Sequence, residues 1–230
     1  MTISILTLFP EMFAGPFDYS IINRAKEKGL VKINFINIRD FGIGKHKMVD
    51  DTEYGGGIGM LMRVDVVHEA IEHTKKLNTG KTKIILMSAS GKTFKQQIAQ
   101  KYSKLDHLII ICGHYEGVDN RIKNFIDEEI SIGDFILTGG EIPAMLIADA
   151  ITRLIPGVLP DGATEDESFS EINNETLLEY PHYTKPQTYE QYEVPEILLS
   201  GDHKKIAAWR KEKALKKTTE IRPDLLKNNS

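Results

Sequence analysis

Apolar and polar positions follow two rhythms along the first two thirds of the chain. A period near two marks residues 2–8, with Ile3 and Ile5 inward, and residues 31–38, with Val31, Ile33 and Phe35 inward. Residues 83–87 and 108–112 are short continuous apolar runs, the pattern of strands buried on both faces of a parallel sheet. Residues 129–137 are also strand-like, interrupted by Gly133. Helical spacing falls between these segments. Residues 18–28 place Ile21, Ile22 and Ala25 on one face, and residues 64–77 do the same with Val67, Ala70, Ile71 and Thr74. Thr93 is a candidate cap for a helix reaching Tyr102, with Phe94, Ile98 and the Ala99/Tyr102 pair inward. Residues 141–154 start a helix with Pro143 in the first turn, where proline is tolerated. Strands alternating with helices predict an α/β fold, a mainly parallel sheet with flanking helices.

The rhythm stops after Pro156-Gly157. Residues 161–174 are acidic, polar and aperiodic, which reads as a mobile linker or lid. Beyond it, Leu177-Leu178 and Ile197-Leu198-Leu199 are short anchors. A basic helix over residues 202–217, capped by Asp202, offers Ile206, Trp209 and Leu215 for packing, with Trp209 read as core. The predicted organisation is a cofactor-binding domain over 1–160, an acidic linker over 161–175 and a small basic helical domain over 176–230. Charge sharpens this division. The net charge is −4, yet residues 201–230 carry nine Lys/Arg against four Asp/Glu, while residues 161–180 carry seven acids and no Lys or Arg. A basic appendage on an acidic body fits polyanion binding, and a solvated helix face beside a solvated loop fits equally well on charge alone. One cysteine, Cys112, excludes an internal disulfide and a cysteine-built zinc site. Residues 1–10 read as a strand rather than a signal peptide, and no apolar run is long enough for a bilayer, so a cytoplasmic protein without a membrane partner is expected.

Three glycine-bearing loops follow predicted strands: Ser88-Ala-Ser-Gly91, Gly113-His-Tyr-Glu-Gly117 and Ile132-Gly-Asp-Phe-Ile-Leu-Thr-Gly-Gly-Glu141. Ligands of open parallel sheets bind beyond the carboxyl ends of the strands, so these loops are a candidate site. The run Gly55-Gly-Gly-Ile-Gly-Met60 fails the dinucleotide pattern because Met60 stands at the last glycine position. Gly91-Lys92-Thr93 completes a Walker A ending, but Leu86 stands where its first glycine belongs, which leaves a phosphate nest or a plain turn. The third loop combines Ile132, Phe135, Ile136 and Leu137 with close-approaching backbone and no cluster of Lys or Arg. That chemistry suits an adenosine-bearing cofactor without phosphates, such as S-adenosylmethionine.

Six segments together resemble the bacterial tRNA (guanine-N1)-methyltransferase family TrmD. They are Tyr54-Gly-Gly-Gly-Ile-Gly-Met60, Cys112-Gly-His-Tyr-Glu-Gly-Val-Asp119, Ser131-Ile-Gly-Asp-Phe-Ile-Leu-Thr-Gly-Gly-Glu141, Arg153-Leu-Ile-Pro-Gly-Val-Leu159, Tyr180-Pro-His-Tyr-Thr-Lys-Pro186 and Val194-Pro-Glu-Ile-Leu-Leu-Ser-Gly-Asp202. The likeness extends from Leu6 to Leu226, nearly the whole chain. It implies the SPOUT class, whose cofactor site is a deep trefoil knot that periodicity cannot reveal. It implies a homodimer with active sites shared between chains, S-adenosylmethionine as methyl donor, an association with magnesium, and methylation of N1 of the guanosine 3′ of the anticodon in tRNA. The cofactor positions it implies are Leu86, Met87, Ser88, Gly113, Tyr115, Glu116, Gly117, Ile132, Gly133, Asp134, Phe135, Ile136, Leu137, Gly139 and Gly140. No metal ligands are specified by the sequence.

Guanine N1 becomes nucleophilic only as its proton leaves, and negative charge then builds toward O6. A base near N1 and a cationic donor near O6 are required. Arg153 matches the family's catalytic arginine, and its guanidinium donates in a fixed fork; without the resemblance it reads as an arginine compensating a helix dipole. The family pattern places an aspartate directly before Ser-Phe, where this chain has Glu167, with Asp166 one position earlier. Either carboxylate can be the base, and Asp166 is slightly preferred because linkers absorb one-residue shifts cheaply. His114 stands where many members have arginine, and Ala89-Ser90 replaces a common Pro-Gln pair. For the anticodon stem-loop, Lys45, His46 and Asp50 are candidates to read the neighbouring base, and Lys204, Lys205 and Arg210 to contact phosphates. A SPOUT enzyme acting on another RNA base, a nucleotide-binding module using Gly91-Lys92-Thr93 and a silent RNA-binding protein remain the competing readings at this point.

Overall fold

A computed structural model of the chain describes residues 1–172 and 175–226. Two compact units divide it, Met1–Leu159 and Pro160–Ser230. Asn173 and Asn174 of the expected linker and residues 227–230 of the expected basic domain lie outside the described residues.

The first unit runs β1 (Thr2–Thr7), α1 (Ser20–Glu27), β2 (Lys32–Asn37), β3 (Asp50–Asp51), β4 (Leu61–Met62), α2 (Val64–Lys75), β5 (Thr82–Thr93), α3 (Gln96–Tyr102), β6 (His107–Ile111), β7 (Glu128–Ser131) and α4 (Glu141–Thr152). Five strands form a parallel sheet in the order β2-β1-β6-β5-β7. Because side chains alternate across a strand, Ile3, Ile5, Ile85, Met87, Leu108 and Ile110 pack on one face with α1, α3 and α4. Leu6, Ile84, Leu86, Ile109 and Ile111 pack on the other with Val66, Val67, Ala70 and Ile71 of α2. Burying each such side chain contributes roughly 1.5–3 kcal/mol. The α/β expectation therefore holds, with helices on both faces.

Two local expectations change. Thr93 caps no helix: it ends β5, and α3 starts at Gln96 after the extended Lys95. The apolar run ends at Met87, but the strand resumes, and both Met87 and Lys92 pair with Ile130, so residues 88–91 are looped out between them. Gly91 packs so closely on β7 that a Cβ there would stand 2.5 Å from the Glu129 carbonyl carbon. Lys92 and Thr93 thus sit in a sheet ladder rather than at a helix entrance, which removes the phosphate-nest reading. The second change is β7, which stops at Ser131 rather than reaching residue 137, because Gly133 takes φ +149.

A polar cluster lies at the amino ends of the strands. His107 is fully buried, its Nε2 lies 2.9 Å from Ser4 Oγ, and its Nδ1 makes no hydrogen bond of good geometry. Burial holds the imidazole below its ordinary value, partly opposed by the Asn78 backbone. The folded state therefore resists a proton that the unfolded chain accepts. Stability from this site is full above the unfolded histidine value, about 6.5, and falls as pH drops from there through the folded value. Calorimetric melting from pH 8 to 5 is expected to decline less steeply for His107→Gln than for the parent chain; equal slopes would remove His107 as the cause.

In the second unit, β8 (Glu171–Ile172) pairs antiparallel with β9 (Glu175–Thr176), β10 (Thr188–Tyr189) with β11 (Tyr192–Glu193), and α5 spans His203–Ile221. Asp202 caps α5 as expected, accepting from the Lys205 N–H at 3.1 Å. The segment expected to be aperiodic carries its own turns: Ser170 is buried, and its hydroxyl donates to the Thr164 carbonyl at 2.9 Å. Among the described residues no helix is long and apolar enough to cross a membrane.

Candidate cofactor site at the carboxyl ends of the sheet

The three loops converge in the first unit around a cavity of about 550 Å³. Leu86, Met87 and Ser88 line it from within β5, Gly113, Tyr115, Glu116 and Gly117 follow β6, and Ile132, Gly133, Phe135, Ile136, Leu137, Gly139 and Gly140 follow β7. Asp134, expected with them, is exposed and does not line the cavity. Its neighbours Phe135 and Ile136 do, because Gly133 turns the chain toward them.

Backbone pairing fixes these loops. Cys112 donates its N–H to Leu6 at 2.9 Å, and Gly140 donates to the Gly113 carbonyl at 2.9 Å, tying the second loop to the third. Gly140 is the N-cap of α4, and a Cβ there would lie 2.7 Å from Cys112 Cα. A Cβ on Gly139 would collide with the Glu141 carboxylate. Between His114 and Gly117 the chain makes a tight turn, with Tyr115 at φ +57 and Gly117 at φ +113. That turn is stitched outward, since Met62 donates to Gly117 at 2.9 Å and Glu116 to Met60 at 3.1 Å. The Gly59 site lies against the Glu116 side chain, so the glycine run flanks this loop.

Two features escaped the sequence reading. Glu141 looked like an ordinary helix start, but it is buried and accepts a 2.8 Å hydrogen bond from Thr7 Oγ1. Burial, and secondarily the charge of Glu141, push the Cys112 thiol well above its usual range. Lys123, among the described residues the one Lys or Arg of the lining, is paired with Glu129 at 2.9 Å. His114, at the position where arginine was noted, packs between Phe9 and Tyr115 at 4.8 and 4.9 Å, and its buried Nδ1 has no hydrogen-bond partner.

The remaining candidates lie elsewhere. Arg153 is the C-cap of α4, its N–H bonded to Asp149 at 3.2 Å. Lys45 and His46 are exposed in the turn between Ile43 and Met48, which pair with each other, and Asp50 begins β3. In the second unit Asp166 is exposed and Glu167 half-buried, in the turn whose Glu167 carbonyl accepts from Ser170 at 3.1 Å. Lys204, Lys205 and Arg210 are exposed on α5, and Lys205 pairs with Asp202 at 3.2 Å. Among the described residues no three His, Cys, Asp or Glu side chains gather to hold a metal, so the magnesium implied by resemblance finds no such set.

The cavity meets the demands of a phosphate-free adenosine cofactor. Its walls are apolar at Leu86, Ile132 and Leu137, backbone-lined at the glycines, and its lysine is already neutralised. The whole chain is similar to known proteins. The family described as tRNA (Guanine-1)-methyltransferase TrmD matches residues 1–228. A tRNA (guanine-N(1)-)-methyltransferase of Carboxydothermus hydrogenoformans is 55% identical over 99% of this chain and 88% of its own length. Proteins of the same description from Dictyoglomus turgidum (53%, covering 100% and 91%) and Endomicrobium trichonymphae (50%, covering 99% and 100%) are similar throughout. With the parallel sheet, the three-loop cavity and end-to-end similarity in agreement, the chain belongs to the tRNA (guanine-1)-methyltransferase family.

Proposed function

We propose that this tRNA (guanine-N1)-methyltransferase takes its methyl group from S-adenosylmethionine and places it on N1 of guanosine 37, immediately 3′ of the anticodon. The observation that carries this reading is the cavity: three glycine-bearing loops, with apolar walls at Leu86, Ile132 and Leu137 and no spare cation, at the carboxyl ends of a parallel sheet. The cofactor, when bound, supplies an electrophilic methyl on a sulfonium. Leu86, Ile132 and Leu137 would enclose its adenine, while backbone groups of Gly113, Gly139 and Gly140 would approach its polar edges.

The protein's own groups must then ready the base. A carboxylate at Asp166 or Glu167 removes the N1 proton, and Arg153 donates to O6 as charge accumulates there. Holding N1 in line with the methyl is an orientation effect large enough to supply much of the rate. Because N1 is sealed by stacking, the target base is extruded before reaction. Lys45 and His46 sit on an exposed turn, and Asp50 follows it at the start of β3, a set suited to the neighbouring base. The reading includes a homodimer with shared sites, the knot of the SPOUT class and action in the cytoplasm.

Methyl transfer from labelled cofactor to tRNA transcripts with guanosine or adenosine at position 37 tests this. Transfer only to the guanosine transcript, mapped to N1, is expected; a folded protein transferring to neither would refute it. The same assay assigns the base. Removing the true proton acceptor by Asp166→Asn or Glu167→Gln is expected to lower kcat by about 10²–10⁴-fold, with the other variant near parental. Two silent variants would exclude both carboxylates.

A further inference from the structure

His114 and Glu141 take no part in the chemistry above, yet the fold brings them together beside the cofactor cavity. His114 lines that cavity, its ring between Phe9 and Tyr115 and its Nδ1 buried without a hydrogen-bond partner. Glu141, only 2% exposed, opens α4 directly after the Gly140 N-cap. The amide end of a helix favours negative charge at such a position. One carboxylate oxygen, Oε1, is fixed from β1. Thr7 Oγ1 accepts from the Phe9 N–H at 2.9 Å and donates its own proton to Glu141 at 2.8 Å. The other oxygen, Oε2, meets the histidine at Gly139. A Cβ on Gly139 would stand 2.8 Å from His114 Nδ1 and closer still to Glu141 Oε2, so the two atoms lie less than twice that distance apart.

We infer that Glu141 is a positioning residue for His114: it holds a proton on Nδ1, and the Nε2 left as acceptor takes a hydrogen bond from an amine or hydroxyl of the cofactor. The inference rests on S-adenosylmethionine occupying this cavity. A neutral imidazole carries one donor and one acceptor nitrogen. With the proton on Nε2, the Nδ1 lone pair would confront a buried carboxylate, and the repulsion is strong where water is scarce. With the proton on Nδ1, the same carboxylate attracts it, directly or through one water. Nδ1 is the buried nitrogen of a ring that lines the cavity, so Nε2 is the one placed to reach a ligand. S-adenosylmethionine offers donors at its 6-amino group, its ribose hydroxyls and its ammonium. Arginine has donors only, so an arginine at this position cannot make the contact.

Nitrogen NMR of the cofactor-free, full-length protein at about pH 8, above the ordinary imidazole value, reads the tautomer. The His114 signals, assigned by their loss in His114→Asn, are expected to show the proton on Nδ1 in the parent. In Glu141→Gln the proton should move to Nε2, because the new amide keeps the Thr7 contact and donates to Nδ1. Calorimetric titration with S-adenosylmethionine is expected to show binding weakened roughly 3- to 10-fold in Glu141→Gln, His114→Asn and His114→Arg. The double variant Glu141→Gln/His114→Asn should bind no more weakly than His114→Asn, since both changes remove one contact. Repeating the titration with 5′-methylthioadenosine, which lacks the amino-acid group, locates the donor: equal losses put it on the adenosine, and losses confined to S-adenosylmethionine put it on the ammonium. A proton on Nε2 in the parent overturns the inference, as do additive losses in the double variant. Parental affinity in His114→Arg overturns it by making the role cationic. Unchanged cofactor affinity with a raised KM for tRNA overturns it by giving the contact to the target base. If the parent binds S-adenosylmethionine and the variants bind it equally, only this contact fails; if the parent does not bind it, the reading of the cavity falls too.

Discussion

Arg153→Ala is expected to lower kcat by about 10²–10³-fold while leaving S-adenosylmethionine affinity and melting temperature close to parental. The size follows from what removing one preorganised donor at a developing oxyanion costs in other enzymes. The arginine sits at the carboxyl end of α4, where a cation also complements the helix dipole. That second role contributes about 0.3–1 kcal/mol at an exposed end, far too little to explain a hundredfold change in turnover. Arg153→Lys keeps the charge but not the planar fork, so it should recover helix stability and only part of the rate. Single-turnover methyl transfer with saturating tRNA, beside a thermal melt, distinguishes the two roles. A variant melting lower but turning over normally would leave Arg153 as a helix cap.

The second large effect concerns a residue without a side chain. Gly140 has φ −83, a conformation open to any residue, so alanine there meets no torsional objection. The difficulty is steric: the new methyl would stand 2.7 Å from Cys112 Cα and 2.9 Å from Gly113 N. Both are backbone, and neither can rotate away. The strain is relieved only by parting the second and third loops, the two that the Gly140–Gly113 hydrogen bond joins. Overpacking of this kind destabilises by about 1–3 kcal/mol, so cofactor affinity should fall roughly 10- to 100-fold. Isothermal titration of Gly140→Ala with S-adenosylmethionine checks this. Binding within twofold of the parent would mean that the loops part freely.

Much of this architecture was readable from residues alone. Runs such as residues 108–112 have few alternatives to a buried strand, and Val67, Ala70, Ile71 and Thr74 mark a helix face that is indeed buried. The loops themselves were legible as a ligand site, because ligands collect at the carboxyl ends of parallel strands; the fourteen cavity-lining positions within them were supplied by the family resemblance. Failures came where a partner distant in sequence overrides local pattern. Thr93 has the chemistry of a helix cap, but β7 offers it a ladder instead. Glu141 owes its burial to Thr7, 134 positions away, and no spacing rule joins them. Trp209 has the periodicity of a core residue, yet the segment it meets, at Tyr183, covers only part of its ring. Asp134 was included by contiguity with its neighbours, although the turn at Gly133 sends it outward.

The doubled pairing of β5 has one more consequence. Met87 and Lys92 share Ile130 as partner, so the four residues between them are anchored at both ends to the same point of one neighbour. Gly91 is held by its contact with β7, but the exposed side chains of Ala89 and Ser90 can be exchanged without disturbing the anchors. Their number cannot: one residue more or fewer turns Lys92 and Thr93 to opposite sides of the sheet. Over evolutionary time this stretch, Gly91 apart, is free to change its spelling but not its length, and gaps in homologous chains should fall in the surface turns instead.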